Sequence, residues 1–210
     1  MILAFDTATP AVTVALHDGH HVRTEHTVVD ARRHGELLGP AIARVLADAG
    51  VSTSALTKIA VGVGPGPFTG LRVGLVTARS LGDALAIPVV GVCTLDVLAA
   101  DAVSAEPFLV ATDARRREVY WATYEATGAR IEGPSVDRPA DVAWDGRSFG
   151  AGALMYRDTF ANAHQPEFPS ASTLASLVAA GAVKELAPDP LYLRRPDAVE
   201  PAARKAVTQA

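Results

Sequence analysis

A mixed α/β protein built of two similar halves is predicted from three observations. Apolar strand patterns are followed by alternating helix and strand patterns along the chain. A strand that ends in aspartate and turns back into a second strand occurs twice, at 2–16 and again at 108–124. The 210 residues, 49% hydrophobic, are ample for a packed core.

Residues 2–5 and 12–16 read as strands joined by the turn Asp6-Thr7-Ala8-Thr9-Pro10, and a third strand over 22–28 follows Asp18-Gly19. The chain thus opens as a three-strand meander. Leu37, Leu38, Ala41, Ile42, Val45 and Leu46 recur at helical spacing, which predicts a helix over 34–49 stopped by Gly50. A buried strand over 58–63, a helix over 69–86, a strand over 89–93 and a shorter helix over 95–103 come next. In the second half, 108–113 and 119–124 copy the opening hairpin, with Gly128 turning into a third strand at 130–132. A strand at 148–150 and helices over 154–160 and 172–180 complete the repeat. Two like units are expected, 1–105 and 106–198, with Glu106-Pro107 as the boundary. The chain after Lys184 carries four prolines and is expected to pack as an extended strap, with 199–210 fraying as a tail.

Composition excludes several classes of protein. The longest run without charge, 168–183, is 16 residues and broken by Pro169, too short for a membrane span. The first residues lack a basic leader and meet Asp6 at once, so a cytoplasmic protein without a cleaved signal is expected. Cys93, the only cysteine, precludes an internal disulfide and is expected at a buried strand end. A net charge of −4 argues against a stand-alone nucleic-acid binder, although Arg32-Arg33, Arg115-Arg116-Arg117 and Arg194-Arg195 form small basic clusters.

The most informative stretch is Val63-Gly64-Pro65-Gly66-Pro67-Phe68-Thr69-Gly70-Leu71-Arg72, where an apolar strand enters a Gly/Pro turn and then a helix. Along that helix Gly70, Gly74, Ala78 and Gly82 fall four apart, a ridge of small side chains that admits another helix closely. Leu71, Val73, Leu75, Val76, Leu81 and Leu85 surround it and require cover on several sides.

These residues, with Phe5-Asp6-Thr7-Ala8-Thr9, Arg33-His34-Gly35-Glu36-Leu37-Leu38, Asp113-Ala114-Arg115, Glu118-Val119-Tyr120 and Tyr192-Leu193-Arg194, resemble the TsaB (YeaZ) family from residue 1 to about 198. The resemblance implies an actin-like ATPase (ribonuclease H-like) fold and membership of the bacterial machinery that makes threonylcarbamoyladenosine beside the tRNA anticodon. It also implies that the chain is the non-catalytic partner of a TsaD-like transferase, joined through helices. The resemblance implies further that a TsaE-like ATPase docks on the pair, that tRNA is met only through the complex, and that a separate enzyme supplies the acyl donor.

The residues themselves bear on three readings. A zinc peptidase needs paired histidines one turn apart on a helix, and the one such spacing, His17 and His21, straddles a turn. A small stand-alone actin-fold ATPase or kinase is the alternative function. Asp6 and Asp113 end the two hairpin strands as metal-positioning carboxylates would, and Thr7, Thr9, Gly64, Gly66 and Thr69 line the expected phosphate site. Ala8 in the first turn and Arg116 or Arg117 in the second compromise that cradle, so no cofactor is expected to be required, and ATP, ADP or Mg2+ binding would be vestigial. The interface reading assigns His34, Leu37, Leu38, Ala41, Gly70, Arg72, Gly74, Ala78, Arg79 and Gly82 to the partner contact, or to a homodimer when the chain is alone. On that reading Gly74→Leu leaves the monomer folded and abolishes the complex.

Overall fold

The computed structural model describes residues 1–194. The first sheet holds β1 (Ile2–Asp6), β2 (Ala11–His17), β3 (Val22–Val29), β4 (Lys58–Gly62) and β5 (Val89–Val92) in the order β3-β2-β1-β4-β5. The second holds β6 (Phe108–Asp113), β7 (Val119–Tyr124), β8 (Arg130–Asp137), β9 (Ser148–Phe149) and β10 (Ala163–His164) in the order β8-β7-β6-β9-β10. In both sheets the first three strands are antiparallel and the last two add in parallel. The repeat inferred from the aspartate-ended hairpins is therefore a repeat of topology, and the strand order is that of the actin-like fold. Its second copy is degenerate, since β9 and β10 have two residues each.

Among the described residues five α-helices cover the sheets: α1 (His34–Asp48), α2 (Phe68–Leu85), α3 (Thr94–Asp101), α4 (Ala151–Met155) and α5 (Ala171–Ala180). Strand alternation sorts them. Leu3 and Phe5 of β1 point into the core shared with α1 and α2, whereas Ala4 points to the opposite face, where Leu174, Ala175 and Val178 of α5 and Val97 of α3 cover it. Leu95, Leu98 and Ala99 of α3 meet Phe108, Val110 and Tyr124 of the second sheet, so one short helix is packed against both sheets. Leu109 and Ala111 face the other way, into the core that holds Ala153 of α4.

Three departures from expectation have local causes. The helix expected over 154–160 starts earlier and ends at Met155, because Gly150, at φ 98°, enters it directly from β9. Helix α5 lies in the second half of the chain but packs on β1 and β2 of the first sheet. Ser170 Oγ caps it by accepting from Thr173 N at 3.2 Å, and Glu25 of β3 accepts from Ser170 Oγ and Ser172 N, which fixes its start to the first sheet. Sequence position therefore misassigns it to the second unit. Finally, β10 and most of β8 carry no strand pattern of their own.

The expected strap is present over 186–194. Leu186 exchanges two 2.8 Å backbone hydrogen bonds with Gly91 of β5, and Leu191 N donates to Val63 O. A Cβ on Gly91 would lie 2.7 Å from Ala187 O, so the approach requires glycine. Leu186 and Leu191 pack against the cores of both halves. Residues 195–210, including Arg195 and the expected tail, lie outside the described residues.

Candidate functional site

The last residue of β1, Asp6, is fully buried and already committed. Its Oδ1 accepts from Ala8 N at 2.7 Å and its Oδ2 from Thr94 Oγ1 at 2.7 Å, while the same threonine hydroxyl accepts from Gly64 N at 3.2 Å. Burial raises the Asp6 pKa against the lowering effect of the Thr94 and Ala8 hydrogen bonds. A Cβ on Gly62 would lie 1.8 Å from Asp6 Oδ2, so this carboxylate fits only beside a glycine. Thr7 Oγ1 donates to Gly70 O at 2.7 Å, and Thr9 Oγ1 accepts from Ala11 N at 3.3 Å. The buried His34 Nε2 lies 2.8 Å from Thr9 O, to which it must donate.

The Gly64-Pro65-Gly66 turn lies against this hairpin. A Cβ on Gly66 would meet Ala8 O at 2.2 Å, so the two loops that would embrace a phosphate instead touch each other. Asp6, Thr7, Thr9, Gly64 and Gly66 are thus brought together as predicted, but they satisfy one another. They do not fit a Mg2+-triphosphate cradle, which needs a carboxylate reachable from solvent and backbone amides left open. Thr69 stands apart. It is exposed in the first turn of α2 and caps nothing, since the helix has no side-chain cap.

Asp113 occupies the matching place at the end of β6 and is also turned inward to its own loop. Its Oδ1 accepts from Arg115 N at 2.8 Å and its Oδ2 lies 3.3 Å from the Arg115 guanidinium. Arg115, Arg116 and Arg117 have φ of 60°, 56° and 62°, three successive left-handed residues without a glycine. Ala114 N bonds Glu118 O and Glu118 N bonds Arg115 O, closing the loop with its three arginines exposed. Arg194 of the strap donates to Ala114 O at 2.9 Å and pairs with Glu118. A cavity of 180 Å3 in the first half, bordered by Arg115 of the second, is lined by Thr7, Thr9, Arg32, His34 and Thr69, among others.

The expectation for the helix ridge is overturned. Gly70, Gly74, Ala78 and Gly82 face inward: a Cβ on Gly70 would meet Thr7 O at 2.5 Å, on Gly74 Thr7 Oγ1 at 2.5 Å, and on Gly82 Val89 Cγ2 at 2.3 Å. The small residues let α2 lie close on its own sheet. His34, Leu38 and Ala41 are likewise inside the chain's own core, and Leu37 is half-buried. Arg72 and Arg79 are exposed but serve the strap: Arg72 Nε donates to Tyr192 Oη at 3.1 Å with its guanidinium 3.7 Å above the Phe68 ring, and Arg79 donates to Pro188 O and pairs with Asp189. Gly74→Leu therefore cannot leave the monomer intact.

An outward ridge exists on the neighbouring helix. Gly35, Gly39, Ala43 and Ala47 of α1 are four apart and all exposed. Beside them α2 shows Phe68 and Val76, 40% and 61% exposed, with Val73 between. Gly35, Phe68, Thr69, Arg72, Val73 and Val76 line a shallow groove along this helix pair. The i,i+4 spacing was visible in the sequence; burial on α2 is what separates it from the inward ridge.

Among the described residues no group of three or more His, Cys, Asp or Glu side chains could hold a metal ion. Cys93 is buried at the end of β5, and burial pushes its thiol up to about 11.

Fold and site together define an actin-like protein whose phosphate loops have closed on each other and whose first two helices have a small-residue face that the described residues leave uncovered. The family model described as TsaD, tRNA N6-adenosine threonylcarbamoyltransferase, matches residues 27–187. YeaZ from Pseudomonas aeruginosa superposes with a TM-score of 0.77 at 34% identity, over 91% of this chain and 99% of that one. An uncharacterized protein of Mycobacterium tuberculosis is 46% identical over 200 residues, 94% of this chain and 93% of its own length. The Escherichia coli tRNA threonylcarbamoyladenosine biosynthesis protein TsaB is 39% identical over 127 residues, 59% of this chain and 54% of that protein. The chain belongs to the TsaB (YeaZ) family.

Proposed function

We propose that this chain acts in tRNA threonylcarbamoyladenosine formation as a non-catalytic partner subunit, binding a TsaD-like transferase through the outer face of α1 and α2. The observation that carries this reading is the contrast between the two sides of the helix pair. Inside, the groups that would handle a nucleotide are hydrogen-bonded to each other. Outside, Gly35, Gly39, Ala43 and Ala47 form a ridge beside Val73 and Val76 with nothing of the described chain upon it. Close helix packing on such a ridge gives contact between backbones as well as side chains. Burying about 600 Å2 of apolar surface would contribute roughly 15 kcal/mol before association costs of similar size, so fit along the ridge decides affinity.

On this reading the protein works in the cytoplasm, requires no nucleotide or Mg2+ of its own, and meets tRNA in a complex that includes a TsaE-like ATPase. When the transferase is absent, the same face pairs with a second copy.

The test is reconstitution. The purified chain should turn over neither ATP nor tRNA alone, yet be required when the transferase, the ATPase and the acyl-adenylate synthase are combined. Gly39→Leu should abolish co-elution with the transferase and the modification with it. ATP turnover by the isolated chain that is lost in Asp6→Ala would instead establish the stand-alone ATPase or kinase.

A further inference from the structure

The strap over 186–194 runs along α2 as well as across β5, and two of the long side chains it grips on that helix also face the docking groove. It passes antiparallel to the helix. Arg79 donates to Pro188 O at 2.7 Å and pairs with Asp189, whereas Tyr192 meets Phe68 and Arg72 in the first turns. Phe68 and Arg72 are four apart and Arg72 and Arg79 seven, so one flank of α2 takes the whole contact.

At Tyr192 the contact is a closed set of three side chains. The tyrosine ring stacks on Phe68 with centroids 5.5 Å and planes 22° apart, and its hydroxyl accepts from Arg72 Nε at 3.1 Å. The Arg72 guanidinium in turn lies 3.7 Å from the centre of the Phe68 ring. Backbone bonds fix the tyrosine in this place: Leu191 N donates to Val63 O at 2.9 Å and Tyr192 N to Pro190 O at 3.0 Å. Phe68 and Arg72 line the groove on the α1–α2 face with Gly35, Val73 and Val76, and Tyr192 is not among its lining residues. Each of the two is therefore a wall with the strap behind it and the groove in front. Without that backing, exposed side chains such as these sample several rotamers, and ordering them on association lowers affinity. Backed by Tyr192, they are ordered before a partner arrives.

We propose that Tyr192 is a positioning residue of the docking face: its ring, set against Phe68, holds the edge of the groove in the shape that the TsaD-like transferase fills, so docking of the strap and docking of the partner are linked. The lining favours a helix of a protein partner, since valines lie between Phe68 and Arg72 and the groove is continuous with the α1 ridge at Gly35. The inference rests on the partner role proposed above and assigns control of that face to a residue 120 positions beyond Arg72. Linkage runs both ways: a partner that prefers the strap-docked form by some factor stabilises the docked strap by the same factor.

The experiment measures the affinity of the full-length chain for the purified transferase by isothermal titration calorimetry, and amide hydrogen exchange of the strap with and without the transferase. Tyr192→Ala should weaken binding about tenfold while the circular dichroism spectrum stays that of wild type. Tyr192→Phe keeps the ring and loses only the hydroxyl, so it should bind within about threefold of wild type. In the wild-type chain, protection of the Leu191 amide should rise about tenfold in the complex, matching the affinity lost in Tyr192→Ala. A merely structural tyrosine would alter exchange in the free chain and neither of those two quantities. Unchanged affinity in Tyr192→Ala overturns the proposal, and so does an equal loss in Tyr192→Phe or equal protection of Leu191 with and without the transferase. Weaker self-pairing of the isolated chain with transferase binding intact would make the groove edge a contact between copies and overturn it as well. Gly39→Leu is titrated in parallel. If it too binds like wild type, the face itself is misassigned, whereas loss in Gly39→Leu beside unchanged binding in Tyr192→Ala removes only the part given to the strap.

Discussion

The hydroxyl of Thr94 connects residues far apart in the chain: it donates to Asp6 Oδ2 and accepts from Gly64 N, all three buried. Thr94→Val keeps the shape and leaves both partners unsatisfied, at a cost of about 2–4 kcal/mol. A fall in melting temperature of roughly 5–15 °C is expected by differential scanning calorimetry. Asp6 itself should report its burial through pH. Its folded pKa is raised above the ordinary value of 3.8, so the stability it contributes is fully present below that value and is lost as pH rises through the folded pKa. Relative to wild type, Asp6→Asn should therefore gain stability in urea titrations as pH rises above the ordinary value of 3.8. A constant difference over that rise would mean that the carboxylate is solvated, contrary to its burial. Neither property was legible from the sequence: the position of Asp6 at a strand end was plain, but Thr94, 88 residues away, is what consumes its second oxygen.

At the scale of the element, α1 and α2 each carry small residues at four-residue intervals, and the two ridges have opposite duties. Gly74→Leu drives a side chain into Thr7 and should leave no soluble, cooperatively folding protein, a loss beyond about 3 kcal/mol. Gly39→Leu projects into space where nothing lies within 4 Å, so its melting temperature should match wild type while heterodimer formation fails. If Gly74→Leu were to fold normally, the intrachain contact would be refuted. Helical period and strand alternation made the elements of the first half legible almost to the residue, because α1, α2 and β4 are bounded by Gly, Pro and charge. Period tells that a face is buried and not what buries it, which is why the glycine ridge of α2 was assigned to a foreign helix. The strand expected at 148–150 is β9, whereas β10, also of two residues, has too short a pattern to register apart from its parallel pairing.

Across the whole molecule the strap joins what the two sheets leave separate. Leu186 and Leu191 touch both cores, Tyr192 stacks on Phe68 at 5.5 Å, and Arg194 reaches the arginine loop. Ending the chain at Glu185 removes these contacts together and uncovers the edge of β5. Amide hydrogen exchange should then accelerate at least tenfold in β5 and in the 114–118 loop, whereas protection limited to wild-type rates at either place would show the strap to be an ornament of one half only. The duplication was legible at this scale because aspartate ends the first strand of both hairpins. The placement of α5 was not, since the Glu25 contacts that hold it on the first sheet span about two thirds of the chain.

Helix α3 has one flank on each sheet, which leaves the halves a common wall in place of a hinge. Rocking one sheet away from the other would tear Leu95 and Leu98 from Phe108 and Tyr124, or Val97 from the α5 side. Arg32 and Arg115, one from each half, line a single cavity, and the shared helix ties their two supports together. Such a body suits measuring and holding a neighbour far better than cycling between open and shut.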